Sequence, residues 1–170
     1  MLLPPHKVTD VAREMFQLLR QSELIDTDLP REVQLDLEAV LNQYIKTEQD
    51  LVTRARQTIE SRGLTNRDYN RVLQGLAEQK GVKVGDEGMD YLLEQLLEMV
   101  LNSSNIEEIY GEDHEIRREL RIPLRKLGEQ REKVEREVRS SVRPAEAEGS
   151  PVWEMEYQKM MEDIRRRRGL

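Results

Sequence analysis

Apolar residues recur with helical spacing over an unusually long stretch of this 170-residue chain. The pattern begins just after Pro30 and continues to Ile59, and Gly63 follows it at a position typical of a helix end. We take Asp28 as the N-cap. At 1.5 Å per residue, such a helix would be about 50 Å long. A single small globule rarely needs such a rod, so we expect an antiparallel helical pair or a coiled coil.

Composition agrees with a helical protein. The chain carries 27 Lys and Arg against 34 Asp and Glu, and aromatic residues make up only 4%. Few glycines, few aromatic residues and many charges argue for helices and against a β-sandwich or barrel. The sequence therefore predicts an all-α fold of two similar three-helix units. Each unit contains one long helix, and the units pack as a helical bundle with coiled-coil character.

Six helical segments can be delimited from periodicity and capping residues. Thr65 with Asp68 forms a capping box before the third helix, and Ser150 with Pro151 marks the start of the last one. Pro123 lies inside the fifth. We expect the helices over 6–20, 30–62, 65–80, 86–101, 113–141 and from 151 onward.

The same order of short, long and short helices occurs twice, which predicts an internal duplication with units at 1–81 and 82–170. The sequence offset is 81 for the first pair of helices, 79 for the long pair and 84 for the third pair. The alternative is that any two amphipathic helices can be slid into register. Matching residues include Val11 and Leu92, Leu41 and Leu120, and Leu73 and Tyr157.

Three stretches resemble parts of one bacterial family. The most specific is the GS-x-x-W pattern formed by Gly149, Ser150 and Trp153, and weaker similarities lie at 114–120 and in the first helix. The family is known only as domain of unknown function 507, and the chain resembles two of its units in tandem, best over 86–168. The first unit departs from the pattern, since Tyr69 stands where the family has tryptophan. The resemblance implies a small helical bacterial protein and brings no activity, cofactor or catalytic residue with it.

Few residues are suited to catalysis or metal binding. The chain has no cysteine, and its two histidines, His6 and His114, lie far apart in sequence. We therefore expect no metal site, no cofactor and no catalytic group, and we regard the chain as a non-enzyme. One acidic cluster could bind a hard cation but lacks the spacing of a known calcium loop, so we interpret it as a solvated loop. Its members are Glu107, Glu108, Glu112, Asp113 and Glu115.

Two surfaces of the last helix are candidates for binding. The first is an apolar stripe that fits either a core anchor, which we favour, or a partner-binding face. The second is an arginine cluster that fits either an anion contact or simple complementarity to the helix dipole. The stripe comprises Trp153, Tyr157, Met160, Met161 and Ile164, and the cluster comprises Arg165, Arg166, Arg167 and Arg168.

These features favour a non-catalytic structural or interaction protein that binds protein partners or associates with itself. No segment is apolar enough to span a bilayer and no secretory signal is evident, so we expect a cytoplasmic location. Nucleic acid is not a favoured partner because the net charge is −7. The alternative is an RNA- or ribosome-associated protein that uses the arginine cluster together with Arg117, Arg118, Arg121, Arg125 and Lys126. No small-molecule substrate is indicated.

Overall fold

The structure, a computed structural model that describes residues 2–142 and 148–169, confirms the all-α fold. Short 3-10 turns precede α1, α3 and α4 at Pro5–Lys7, Asn66–Asp68 and Gly85–Glu87. The helices are α1 (Val8–Gln21), α2 (Pro30–Arg62), α3 (Tyr69–Lys80), α4 (Gly88–Asn102), α5 (Asp113–Ser141) and α6 (Pro151–Arg168). Two strands of two residues each, β1 (Ile25–Asp26) and β2 (Glu108–Ile109), complete the described elements.

The long second helix has the expected length but a different N-cap. Its cap is Leu29, which offers no side-chain oxygen, so the prediction of Asp28 was wrong. The preceding turn is held instead by the Thr27 hydroxyl, which accepts a hydrogen bond from the Leu29 amide at 2.9 Å and donates to the Asn105 carbonyl. The helix ends as predicted, with Gly63 in the left-handed conformation at φ 61°.

Both other predicted caps are confirmed. The Asp68 carboxylate accepts a hydrogen bond from the Thr65 amide at 3.2 Å, and the Thr65 hydroxyl accepts one from the Asp68 amide, which together form the capping box before α3. The Thr65 hydroxyl also donates to the Asp68 carboxylate at 3.0 Å. At the start of α6, the Ser150 hydroxyl accepts a hydrogen bond from the Trp153 amide at 3.2 Å. These contacts fix where both helices begin and therefore which side chains face inward.

The two connectors that precede the long helices pair with each other. β1 runs antiparallel to β2, with Ile25 opposite Ile109 and Asp26 opposite Glu108. Ile25 and Ile106 are buried beside this ribbon. Pairing over so large a sequence separation ties the turn before α2 to the turn before α5.

Contacts divide the chain into two compact units, Met1–Leu124 and Arg125–Leu170. The first contains α1 to α4 and α5 as far as Leu124, and the second contains the rest of α5 and α6. The boundary between the compact units after Leu124 differs from the boundary between the repeated units that the sequence predicts after Gly81. The duplication itself stays a prediction. The core of the first unit includes Met15, Leu19, Leu37, Leu41, Leu92, Leu96, Ile116 and Leu120, all fully buried.

The second unit is a helical hairpin with a small core. Its fully packed cluster comprises Val134, Val138, Val142 and Met161. No described helix is both long enough and apolar enough to cross a membrane.

Candidate interaction surfaces

The predicted apolar stripe of α6 lies against α5 within the second unit. Met161 is buried, and the other four side chains are half-buried against Val134, Val138 and Val142. The Trp153 and Tyr157 rings stack, with centroids 5.0 Å apart and planes 16° apart. The structure thus brings the whole stripe together as one packed cluster, while any role in partner binding stays a prediction.

The four terminal arginines are exposed and differ in their contacts. The Arg168 guanidinium lies 2.6 Å from the Glu137 carboxylate of α5, and Arg166 lies 3.7 Å from Asp163. Arg165 and Arg167 make no ion pair with any residue that the structure describes. The cluster is therefore only half neutralised, and it does not act as one block of four free cations.

The other basic residues proposed for RNA binding are largely paired. Arg117 lies 2.6 Å from Glu94 and Arg121 lies 2.9 Å from Asp90, so both arginines of α5 form ion pairs with acidic side chains of α4. These contacts place acidic groups beside the cations, so this part of α5 is electrostatically mixed. Shorter-range pairs join Arg118 to Glu119 at 3.3 Å and Arg125 to Glu129 at 2.9 Å.

A like-charged surface forms where β1 meets β2, and we call it the acidic ribbon end: Asp26, Asp28, Glu107 and Glu108. The Asp28 carboxylate raises the pKa of Glu107, with smaller contributions from desolvation and from Asp26 and Glu108. The Glu108 carboxylate is likewise the main reason why the pKa of Tyr110 is raised. Negative charges therefore accumulate on this surface without a neutralising cation close enough to reverse these shifts.

Apolar side chains lie exposed in the same strand and turn. Tyr110 is 62% exposed and Ile109 is 37% exposed. Tyr110 also borders an open depression of about 490 Å³, together with Arg20, Glu23 and Asp26. The sequence alone indicated only a solvated acidic loop here, because half of the carboxylates come from a turn about 80 residues earlier in the chain.

A second concave feature lies between α2 and α4 and was not predicted. It has a volume of about 310 Å³ and mainly apolar walls. Burial raises the pKa of Tyr44, whose hydroxyl reaches the Lys83 carbonyl at 3.5 Å and contacts the position where Gly88 would carry a Cβ atom. One turn further along α2, Glu48 is buried, and one of its carboxylate oxygens has no hydrogen-bond partner among the described atoms. The walls are Ala39, Val40, Gln43, Tyr44, Thr47, Val82, Tyr91 and Gln95.

The histidines remain apart from any ligand set. His114 is exposed at the start of α5, with its Nδ1 atom 3.3 Å from a Glu112 oxygen, and His6 is exposed in the first 3-10 turn. Within residues 2–142 and 148–169, no group of three or more histidine or acidic side chains is arranged to hold a metal ion.

The fold and these surfaces define an all-α, charge-rich protein. The model of one protein family, described as a protein of unknown function (DUF507), matches residues 1–170. Because the match covers the whole chain, the protein belongs to this family, which confirms the resemblance carried by the GS-x-x-W helix. No curated protein matches the chain.

Proposed function

We propose that this chain is a non-catalytic, cytoplasmic helical protein that binds protein partners through the acidic ribbon end. The observation that carries the proposal is the combination of exposed Ile109 and Tyr110 with four clustered carboxylates on one short ribbon. Exposed aromatic groups beside charges are typical of protein-binding surfaces, since the ring supplies contact area and the charges select the partner.

Charge selects the kind of partner. Residues 125–170 hold 12 of the 27 Lys and Arg and 10 of the 34 Asp and Glu, so the excess of acid lies in residues 1–124. A basic protein segment with an apolar side chain would relieve the repulsion among the carboxylates and cover Tyr110. Association of this kind is steered by charge and weakens as salt screens the attraction.

The second candidate function is RNA association through the arginine cluster. Its support is that Arg165 and Arg167 have no ion-pair partner within the part of the chain that the structure describes. The pairing of Arg117 and Arg121 with acidic groups of α4 limits the basic surface that could follow a phosphate backbone.

A capture experiment with matched variants distinguishes the two functions. Ile109→Ser combined with Tyr110→Ser alters the acidic ribbon end, and Leu35→Ser is the control because Leu35 is similarly exposed, at 39%, in the second turn of α2. We expect tagged protein in its native cell to lose specific protein partners only in the ribbon variant, with or without ribonuclease. Capture that requires RNA and is lost in Arg165→Ala with Arg167→Ala would contradict the proposal and favour the second candidate.

Glu107→Gln tests the electrostatic basis of the same surface. The pKa of Glu107 is raised in the folded state, so the folded chain holds its proton to higher pH than the unfolded chain does. Protonated Glu107 contributes to the free energy of unfolding at low pH, and this contribution is lost as pH rises through the folded-state pKa of Glu107. We therefore expect Glu107→Gln to unfold at a higher temperature than the wild type at neutral pH and to bind a basic partner less well. Glu98→Gln, an exposed site on α4, should change neither property.

A further inference from the structure

We infer that α6 pairs antiparallel with α6 of a second copy of the chain. The inference rests on the proposed role as an interaction protein, for which it names one partner, and it uses residues other than those of the acidic ribbon end.

The inner face of α6 is already occupied, whereas the outer face is open. Trp153, Tyr157 and Ile164 pack inward on α5. On the opposite side, Met155 is 69% exposed and Val152 is 46% exposed. Met155, Lys159, Glu162 and Arg166 are spaced by four, three and four residues, so they share one exposed face.

The charges of α6 are segregated along its length. Glu154 and Glu156 lie near its start, and Arg165 and Arg167 lie near its end. None of these four side chains, nor Lys159, has an ion-pair or hydrogen-bond partner among the residues that the structure describes. A second α6 carries the complementary set of charges, so pairing with it would give each of these side chains a partner of opposite charge.

An antiparallel pair brings the acidic start of each helix beside the basic end of the other. Glu154 and Arg165 are separated by about three helical turns and therefore lie on the same flank, and Glu156 and Arg167 have the same separation on the other flank. Two-fold symmetry then sets Glu154 beside the partner's Arg165 and Glu156 beside the partner's Arg167, each contact occurring twice.

Residues at the centre of the helix pair are also complementary. The register that aligns the flanks also sets Lys159 opposite the partner's Glu162, and it sets Met155 beside the aliphatic stem of the partner's Arg166. Antiparallel helix dipoles add a favourable contribution. A parallel pair would instead place Glu154 beside the partner's Glu156 and Arg165 beside the partner's Arg167, so like charges would repel and that orientation is disfavoured.

The pairing is expected to be weak and sensitive to salt. An 18-residue helix is about 27 Å long and buries a narrow strip, which falls in the size range of transient interfaces. Exposed ion pairs contribute little individually and are screened as ionic strength rises.

Sedimentation equilibrium of the full chain over a wide concentration range tests the inference. We expect the mass to rise toward twice 20.0 kDa at low salt and to fall back at high salt. Arg165→Glu with Arg167→Glu, the acidic variant, should weaken association by more than about tenfold. Glu154→Arg with Glu156→Arg, the basic variant, should do the same, and circular dichroism checks that both remain folded.

Mixing the two variants is the decisive arm. Each should be monomeric alone, and an equimolar mixture should form a one-to-one heterodimer because opposite charges then line up along both flanks. A monomeric wild type, or a mixture that stays monomeric, would overturn the inference. Ile109→Ser with Tyr110→Ser should dimerise like the wild type, so a failure of the ribbon proposal is recognised separately from a failure of this one.

Discussion

Replacing Trp153 by alanine tests how the second unit is held together. Truncating a fully buried tryptophan costs about 3–5 kcal/mol, and Trp153 is half-buried, so we expect a loss of about 2–3 kcal/mol. Up to about 1 kcal/mol of this comes from the stack on Tyr157. The second unit has a core of only four fully packed side chains, so such a loss should detach α6 before the rest of the protein unfolds.

The assay is urea unfolding followed by circular dichroism, with hydrogen exchange of the α6 amides as a local measurement. Met155→Ala is the matched control, since Met155 lies on the same helix but is mostly exposed, and both variants are measured at concentrations where the wild type is monomeric. Trp153 is the only tryptophan, so wild-type emission reports its environment directly. Equal stability of the two variants, or wild-type emission as red-shifted and as easily quenched as in urea, would refute the packing argument.

Three further predictions follow from local geometry and chemistry. Gly88→Ala should lose about 1–3 kcal/mol of unfolding free energy because its methyl group meets the Tyr44 hydroxyl, while Gly75→Ala, with open space around it, should gain about 0.5–1 kcal/mol; urea titrations compare them. The Thr65 hydrogen bonds lower the pKa of Asp68, so the contribution of this capping box should be present above the ordinary Asp pKa and vanish as pH falls through the lowered value. Thr65→Ala should flatten this part of the pH dependence of Tm. A strong chelator should leave Tm unchanged, and a drop of many degrees would reveal a structural metal.

The helices could be predicted well because the signals that start, end and orient a helix lie within a few residues of one another. α5 spans Asp113–Ser141, the range that periodicity predicts, and α6 begins where Ser150 and Pro151 place it. Capping residues act on amides two or three positions away, so the chain carries the whole signal in a short window. The Asp28 prediction failed for the opposite reason, since the turn before α2 is fixed by a contact between Thr27 and Asn105.

Features made by distant segments could not be predicted. The acidic ribbon end exists because β1 and β2 pair over more than 80 residues, and no periodicity describes which loops meet. The concave feature beside Tyr44 depends on how α2 and α4 pack against each other. The sequence of each helix alone shows only an ordinary amphipathic pattern. The order of 3-10 turn, helix, strand and long helix occurs twice along the chain, and only α5 is divided between the two compact units. That this order reflects a duplication stays a prediction.

Repulsion among the carboxylates of the acidic ribbon end lowers the stability of the folded chain. Asp28 and Glu107 repel each other, and a single Glu107→Gln change would remove that cost without disturbing any described backbone hydrogen bond of the ribbon. Folding gains nothing from clustered carboxylates on an exposed turn, and the two-residue strands hold their register through main-chain hydrogen bonds and the buried Ile25. The cost in stability and the exposed tyrosine beside it are the two features that support the proposed basic protein partner, which would neutralise the carboxylates and cover the ring.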